Sequence, residues 1–362
     1  MSLTLEQVSK VVGRDTHIFP TTLSLAAGSL NVLLGATLAG KTSLMRLMAG
    51  LDKPTTGRIL WQGQDVTAKP VQERHVAMVY QQFINYPSLS VYENIASPLR
   101  IRGLPKKTIQ AKVHEAAELL KLTPMLKRRP LELSGGQQQR CALARALVKE
   151  ADLVLLDEPL ANLDYKLREE LRVELPRIFT ASGAVFVYAT TEPTEALLLG
   201  GNTVTLHQGR VTQFGNTLDV YRYPQTLTTA QVFSDPPLNT LQVTKQDHQL
   251  TTPEGQVLIC PPALQALPNA PYTLGFRPNH LTLQPSSPHD LAFQAQVTVV
   301  ELSGSESFIH LMHEDQRWVA LVGGIHDLPL GSHLKLYVAP ERVYAFNAQG
   351  AWMSTSSLAQ AA

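Results

Sequence analysis

The chain is poor in cysteine. Cys141 and Cys260 are its only two in 362 residues, and neither has a neighbour at metal-ligand spacing. That excludes a disulfide framework and a cysteine-based zinc site, and it suits a reducing compartment. No run of about eighteen apolar residues occurs, which argues against a membrane-spanning helix. The opening Met1-Ser2-Leu3-Thr4-Leu5-Glu6-Gln7 lacks a basic cluster followed by an apolar core. No secretory signal is therefore expected, and a cytosolic location is. A dominant charge is missing too, since 31 Lys+Arg against 30 Asp+Glu leave a net +1. The imbalance that exists is regional: residues 236–362 carry 5 of the basic and 9 of the acidic side chains. So acidic a segment argues against nucleic acid as a partner. It also holds 12 of the 24 prolines, which leaves room for short strands and little for long helices.

A chain of this length is too long for one ordinary core, so two domains are expected. The change in composition places the boundary near Ser234-Asp235-Pro236-Pro237, giving domains 1–235 and 236–362. No internal repeat or low-complexity tract stands out.

What is present starts with Gly35-Ala36-Thr37-Leu38-Ala39-Gly40-Lys41-Thr42, which fits the phosphate-loop pattern of Gly, four residues, Gly-Lys and Ser or Thr. It follows the apolar run 30–34 and precedes Ser43 and the apolar-periodic segment 44–49, so it sits where a strand hands over to a helix. Gly35 and Gly40 let the backbone turn its N–H groups inward, a nest for phosphate oxygens at the positive end of a helix. Lys41 is expected to reach the β- and γ-phosphates of ATP, and the Thr42 hydroxyl to ligate Mg²⁺. Residues 152–156 form an apolar strand ending in Asp157-Glu158-Pro159. Ligands gather at the C-terminal ends of parallel strands. There Asp157 can hold Mg²⁺, directly or through water, and Glu158 can polarise an attacking water; an acidic first turn for the next helix is the weaker reading of Glu158 beside the phosphate loop. Leu133-Ser134-Gly135-Gly136-Gln137 opens a helix running to about residue 149. Ser134 is a good N-cap, and the two glycines bare the first backbone N–H groups for an anion.

Strands are expected over 3–8, 22–25, 59–61, 76–80 and 184–188, and helices over 106–122 and 165–178. Together they describe an α/β fold with a largely parallel sheet. Beyond 236, candidate strands at 256–259, 272–276, 294–300, 307–311, 318–322 and 333–338 favour a small β-barrel. His310 and His313 are three apart, face opposite sides of a strand, and cannot share a metal.

In this order and spacing the motifs resemble an ABC transporter nucleotide-binding subunit of the carbohydrate-importer type, typified by the maltose transporter ATPase. The likeness spans nearly the whole chain. Gly275-Phe276-Arg277-Pro278-Asn279-His280-Leu281 is similar to a segment of that family's OB-like, TOBE-type C-terminal domain. The wording of 38–45 and 80–87 looks closest to ATPase subunits of bacterial glycerol importers.

The resemblance implies an α/β P-loop NTPase of the ABC type with a helical lobe, followed by an all-β OB-like domain. It implies ATP hydrolysis at the cytoplasmic face of the inner membrane, coupled to import of a carbohydrate or polyol. Partners would be a second ATPase subunit joined head to tail, two permease subunits and, through them, an extracytoplasmic solute-binding protein. Gln81 would sense Mg²⁺ and the attacking water, and the segment after it would meet the permease. Ser134, Gly135, Gly136 and Gln137 would hold the partner's ATP, and Asn162-Leu163-Asp164 would be the loop between the two sites. Two departures stand out. Val12 replaces an aromatic that stacks on adenine, with His17 and Phe19 as candidate substitutes, and Thr191 replaces the switch histidine. With the signature 133–140 intact, Thr191 points to a site that is slow by itself, opposite a second, different ATPase. The alternative, favoured by Thr191 and Val12 together, is a catalytically weak nucleotide-binding regulatory subunit that completes the partner's site.

Overall fold

The computed structural model describes residues 2–161 and 163–353. The chain forms two compact units, Met1–Thr217 and Leu218–Ala362.

The first unit begins with β1 (Leu3–Val12), β2 (Asp15–Leu25), β3 (Leu30–Leu34), α1 (Lys41–Ala49), β4 (Thr56–Trp61), β5 (Gln64–Asp65) and β6 (Val76–Val79). Helices α2 (Val91–Ile101), α3 (Lys106–Leu119) and α4 (Gly135–Leu147) follow. The unit closes with β7 (Leu153–Asp157), α5 (Tyr165–Ser182), β8 (Val185–Thr190), α6 (Pro193–Leu199), β9 (Asn202–His207) and β10 (Arg210–Asn216).

Its central sheet runs β10-β9-β3-β8-β7-β6. Within it β3 lies parallel to β8 and β9, and β7 parallel to β6 and β8; β10 is antiparallel to β9. Every residue of β7 and β8 is buried, so neither strand alternates in polarity, as expected where both faces are covered. The register pairs Leu34 with Thr190 and Asp157 with Ala189, which brings the C-terminal ends of β3, β8 and β7 side by side. A second, antiparallel sheet, β2-β1-β4-β5, shares a core with the first. Leu3, Leu5, Leu25 and Ile59 pack there with Leu44 and Leu47 of α1 and with Leu155 and Val187. Sequence periodicity predicted pieces of β1 and β2 but not that they form a sheet of their own.

Helix α3 stops at Leu119, short of the expected 122. Lys121 turns left-handed at φ 53°, and the Leu122 N–H reaches back to Ala117 O at 2.6 Å, closing the last turn. Helix α5 runs on to Ser182 and ends at left-handed Gly183, φ 69°.

The second unit carries α7 (Thr217–Arg222), α8 (Leu227–Val232), β11 (Asn239–Gln246), β12 (Gln249–Thr251), β13 (Val257–Ile259), α9 (Pro262–Gln265), β14 (Pro271–Phe276) and β15 (Leu281–Thr282). Then come β16 (Leu291–Leu302), β17 (Glu306–His313), β18 (Gln316–Gly323), β19 (His333–Val338) and β20 (Tyr344–Phe346). All pair antiparallel in two five-stranded sheets, β13-β12-β11-β14-β20 and β15-β19-β16-β17-β18. Trp318 anchors the core, edge-on to Phe276 at 5.1 Å and to Phe293 at 5.2 Å, with its indole N–H donated to Thr240 O at 3.0 Å. His313 is buried and stacks on Trp318 at 4.2 Å, whereas His310 points to the other side and meets Glu301.

Composition placed the boundary at 235, whereas the compact units divide after Thr217. Residues 218–235 are tied to the C-terminal strands. Leu227 N–H donates to Gly350 O at 2.8 Å and Trp352 N–H to Gln225 O at 2.9 Å, while Ala230 and Leu238 pack with Tyr344 and Phe346. Phe233 is buried edge-on against Tyr221. A fragment 218–362 should therefore unfold cooperatively in urea, and a fragment 236–362 should be less stable by about 3–5 kcal/mol, the cost of losing one large buried aromatic and its neighbours. Equal midpoints for the two would place the boundary back at the proline pair.

Candidate nucleotide site

The strand-to-helix turn between β3 and α1 is built as its sequence requires. Gly40 caps α1 at φ 103°, and Leu38, 94% exposed, stands at φ 67°. A Cβ on Gly35 would come within 2.5 Å of Leu206 O and 2.9 Å of the Ala39 Cβ, so only glycine fits there. The loop is braced from behind, with Gly35 N–H on Thr190 O at 3.4 Å and Gly209 N–H on Ala39 O at 2.9 Å. The N–H groups of Lys41, Thr42 and Ser43 open α1 and have no carbonyl one turn back within the helix, which leaves them for an anion.

Around this loop lies a cavity of about 550 Å³ lined by Thr37, Leu38, Ala39, Gly40, Lys41, Thr42 and Ser43, and also by Gln81 and Glu158. Lys41 is 5% exposed. Its ammonium donates to Gly35 O at 2.7 Å and Ala36 O at 3.1 Å and stands 3.5 Å from Glu158 Oε1. Burial holds its pKa below the ordinary lysine value, against the pull of Glu158 and Asp157. Thr42 Oγ1 donates to Asp157 Oδ2 at 2.7 Å, and Gln81 Nε2 to Glu158 Oε2 at 3.0 Å. Asp157 is 3% exposed, and burial raises its pKa above the usual carboxylate value although Thr42 and Lys41 oppose that. Glu158 adopts a left-handed φ of 48°, held by its N–H on Ala189 O at 3.0 Å. A non-glycine residue there is strained by about 1–3 kcal/mol, an arrangement that clusters at functional sites.

Parallel pairing of β3, β8 and β7 thus unites two motifs more than a hundred residues apart in the chain. Other expected residues stand elsewhere. Ser134 caps α4 in a reciprocal box with Gln137, through Ser134 N–H to Gln137 Oε1 at 3.0 Å and Gln137 N–H to Ser134 Oγ at 3.4 Å. Neither these two nor Gly135 and Gly136 line the cavity, and a Cβ on Gly135 would meet nothing within 4 Å. Asp164 caps α5 through Leu167 N–H, and Asn162 lies outside the described residues. Thr191 is exposed beyond β8 and does not line the cavity, while its neighbour Thr190 is buried and donates to Glu195. Val12 is 48% exposed at the end of β1, also outside the lining. Of its two candidate substitutes, His17 does line the cavity, whereas the Phe19 ring is covered by the Arg210 guanidinium at 3.4 Å.

Sequence reasoning missed Thr16, Gln208 and Gly209 in the lining, and Gln139 behind it. Gln139, buried in α4, donates to Pro159 O at 2.7 Å and Glu158 O at 3.3 Å, tying the signature helix to the backbone of the acidic pair. A Gln-Gly turn between two apolar runs was the available sign for 208–209, since such turns mark hairpins.

The donor set fits Mg²⁺: the Thr42 hydroxyl lines the cavity, and the buried Asp157 carboxylate, outside the lining, lies 2.7 Å from it as a second hard oxygen ligand. Among the described residues no group of three His, Cys, Asp or Glu side chains forms a metal cluster, and Mg²⁺ at a nucleotide needs none because phosphate and water oxygens complete its shell.

A phosphate-binding loop beside a strand-end acidic pair, with a capped signature helix, defines an ATP-binding cassette. The chain belongs to the ABC transporter ATP-binding family: the ABC transporter pattern matches residues 19–161 and the TOBE domain pattern residues 274–346. It is 34% identical over 359 residues to an uncharacterized ABC transporter ATP-binding protein of Bacillus subtilis, covering 96% of this chain and 98% of the relative. The sn-glycerol-3-phosphate import ATP-binding proteins of Agrobacterium fabrum and Pectobacterium atrosepticum are 35% and 34% identical, again over 96% of this chain and 98% of theirs. Among solved structures, a dimeric ATP-binding cassette bound to ADP and Pi matches with a TM-score of 0.55 at 25% identity, covering 59% of this chain and 98% of its own. Members of this family bind and hydrolyse ATP.

Asp157 provides a test of the electrostatics. A carboxyl whose pKa is raised by folding costs stability once pH exceeds its unfolded value, a cost absent at lower pH. Asp157→Asn keeps an acceptor for Thr42 and removes the buried charge. It should stabilise the nucleotide-free chain at pH 7 by about 1 kcal/mol in denaturant unfolding, and the gain should vanish below about pH 4. A loss of stability at pH 7 would contradict this account.

Proposed function

We propose that this chain is the subunit that energises a bacterial importer for a phosphorylated polyol or related carbohydrate, working at the cytoplasmic face of the membrane. The observation that carries the reading is the single cavity lined by Lys41, Thr42, Gln81 and Glu158, with Asp157 hydrogen-bonded to Thr42 at its edge. The solute class rests on the names of the glycerol-phosphate relatives. No helix among the described residues is long and apolar enough to cross a membrane, which suits a peripheral subunit.

In this reading Lys41 leaves the Gly35 and Ala36 carbonyls for the β- and γ-phosphates, and the Lys41, Thr42 and Ser43 amides hold phosphate oxygens. Bound Mg²⁺ would neutralise charge on the phosphates. Glu158, freed from Lys41, accepts a hydrogen bond from the attacking water, and Gln81 fixes the orientation of that carboxylate. Ser134 and the Gly135 and Gly136 amides lie outside the lining of their own cavity, which supports a role toward a second cassette joined head to tail.

That second cassette is a different chain in the reading we favour. Thr191 offers a short neutral hydroxyl where an imidazole could reach further and carry charge. Losing one such stabilising contact raises the barrier by roughly 2–4 kcal/mol, about a hundredfold in rate or more. The purified chain should therefore show weak ATPase activity, abolished by Lys41→Ala, raised by a partner cassette and raised again by Thr191→His. Full activity as a homodimer, unchanged by Thr191→His, would refute the asymmetric pair. Activity that stays weak with partner and histidine together would instead favour a regulatory subunit.

A permease contact has its own candidate, a groove of about 320 Å³ lined by Met78, Tyr86, Pro98, Ile101, Arg145 and Ala146. Ile101 is 86% exposed beside it, and Arg145 lies over the Tyr86 ring at 4.9 Å. An apolar segment of the permease would cover Ile101. Ile101→Glu should leave ATP binding and stability of the isolated chain unchanged and weaken co-purification with the permease at least tenfold. Undiminished co-purification would place the contact elsewhere.

A further inference from the structure

The second unit holds a cavity that the nucleotide chemistry does not use. It measures about 340 Å³ and is built from residues of that unit alone. Residues 218–362 contain 6 Lys+Arg against 11 Asp+Glu, yet three of the six cations, Arg222, Arg277 and Arg342, line this one cavity. Glu341 is the one carboxylate among its lining residues. An acidic unit that gathers half its positive charge at one place does so against its average composition.

Arg277 is the centre of the cluster. It is 4% exposed and, among the described residues, no carboxylate lies within the 4.0 Å of an ion pair. Its guanidinium donates to the Tyr344 hydroxyl and the Tyr221 carbonyl, both uncharged, and its Nε is buried without a partner. The flat face rests on the Tyr221 ring at 3.7 Å, with the Tyr344 ring at 5.1 Å, so the group is oriented by stacking. A buried cation with no counter-charge is costly and is normally paired. Arg222 and Arg342 are exposed and enter no ion pair among the described residues, so the positive field at the cavity is not cancelled. His280 lies on the same wall. Burial first, then the charges of Arg277 and Arg342, push its pKa down to about 4, so it is neutral at pH 7 and donates from Nδ1 to Arg342 O.

We propose that this cavity binds a small dianionic oxyanion of the phosphate class, either free phosphate or a phosphate monoester. Three guanidinium groups against one carboxylate match a double negative charge better than a single one. The planar forks of Arg222 and Arg342 suit tetrahedral oxygens, and the volume admits a small ester group beyond the phosphate.

The test is calorimetric titration of the full-length Lys41→Ala chain, in which the nucleotide cavity has lost its phosphate-binding lysine, with inorganic phosphate and, separately, ethyl phosphate in chloride buffer. Saturable binding is expected, weakened about tenfold by Arg342→Gln and again by Arg222→Gln, two exposed positions where folding is not at risk. Ethyl phosphate binding at least as tightly as phosphate identifies a monoester as the occupant, and binding of phosphate alone identifies the free ion. Failure of both ligands to bind, or affinities that Arg342→Gln and Arg222→Gln leave unchanged, would overturn the proposal. ATP binding to the chain with Lys41 intact should be unaffected by Arg342→Gln, which separates this site from the nucleotide cavity.

Discussion

The parallel register of β3, β8 and β7 is the constraint on which the first unit depends. Pairing Leu34 with Thr190 and Asp157 with Ala189 ends three buried strands at one level. The phosphate loop, the acidic pair and the loop carrying Thr191 leave the sheet from that edge. A one-residue slip would turn every side chain to the opposite face and separate Thr42 from Asp157. The slip is prevented by burial, because β7 and β8 are covered on both sides and their large side chains fit one pairing only.

Within that frame the site is assembled at an energetic cost. Lys41 and Asp157 are both desolvated, and the strained Glu158 is held by the Ala189 carbonyl on one side and by Gln139 beneath its own carbonyl on the other. A phosphate group with its cation would supply the charges that protein groups now replace: Lys41 rests on carbonyl oxygens, and Asp157 on a hydroxyl. Gln139 links the first turns of α4 to the backbone of the acidic pair, through Glu158 O and Pro159 O.

The second unit repeats the logic with different chemistry. Trp318, Phe276 and Phe293 fill its core edge to face, and burial there holds two five-stranded sheets with, among the described residues, no long helix. Against that apolar centre Arg277 is held by stacking and neutral hydrogen bonds, with no ion pair among the described residues.

Local pattern alone was enough for most strands of the first unit and for its motifs, though not for α2, α6, β5, β9 or β10. The phosphate loop, the strand-end Asp157-Glu158 and the Ser134 cap are each written in fewer than ten contiguous residues, because glycine turns, capping boxes and buried strands are local physics. The family resemblance followed from their order. What only tertiary structure decided involves residues distant in sequence. The antiparallel sheet pairs Leu3 with Trp61 across a phosphate loop and a helix. Gln208 and Gly209 reach the nucleotide cavity through the turn of a hairpin with no motif of its own. The segment 218–235 joined the second unit because Ala230 packs with Tyr344 and Phe346 and the backbones of Gln225 and Leu227 pair with Trp352 and Gly350, contacts that composition does not encode. The arginine cavity is the clearest case, since residues 222, 277 and 342 are scattered through an acidic segment and their charges meet only where the fold brings them together.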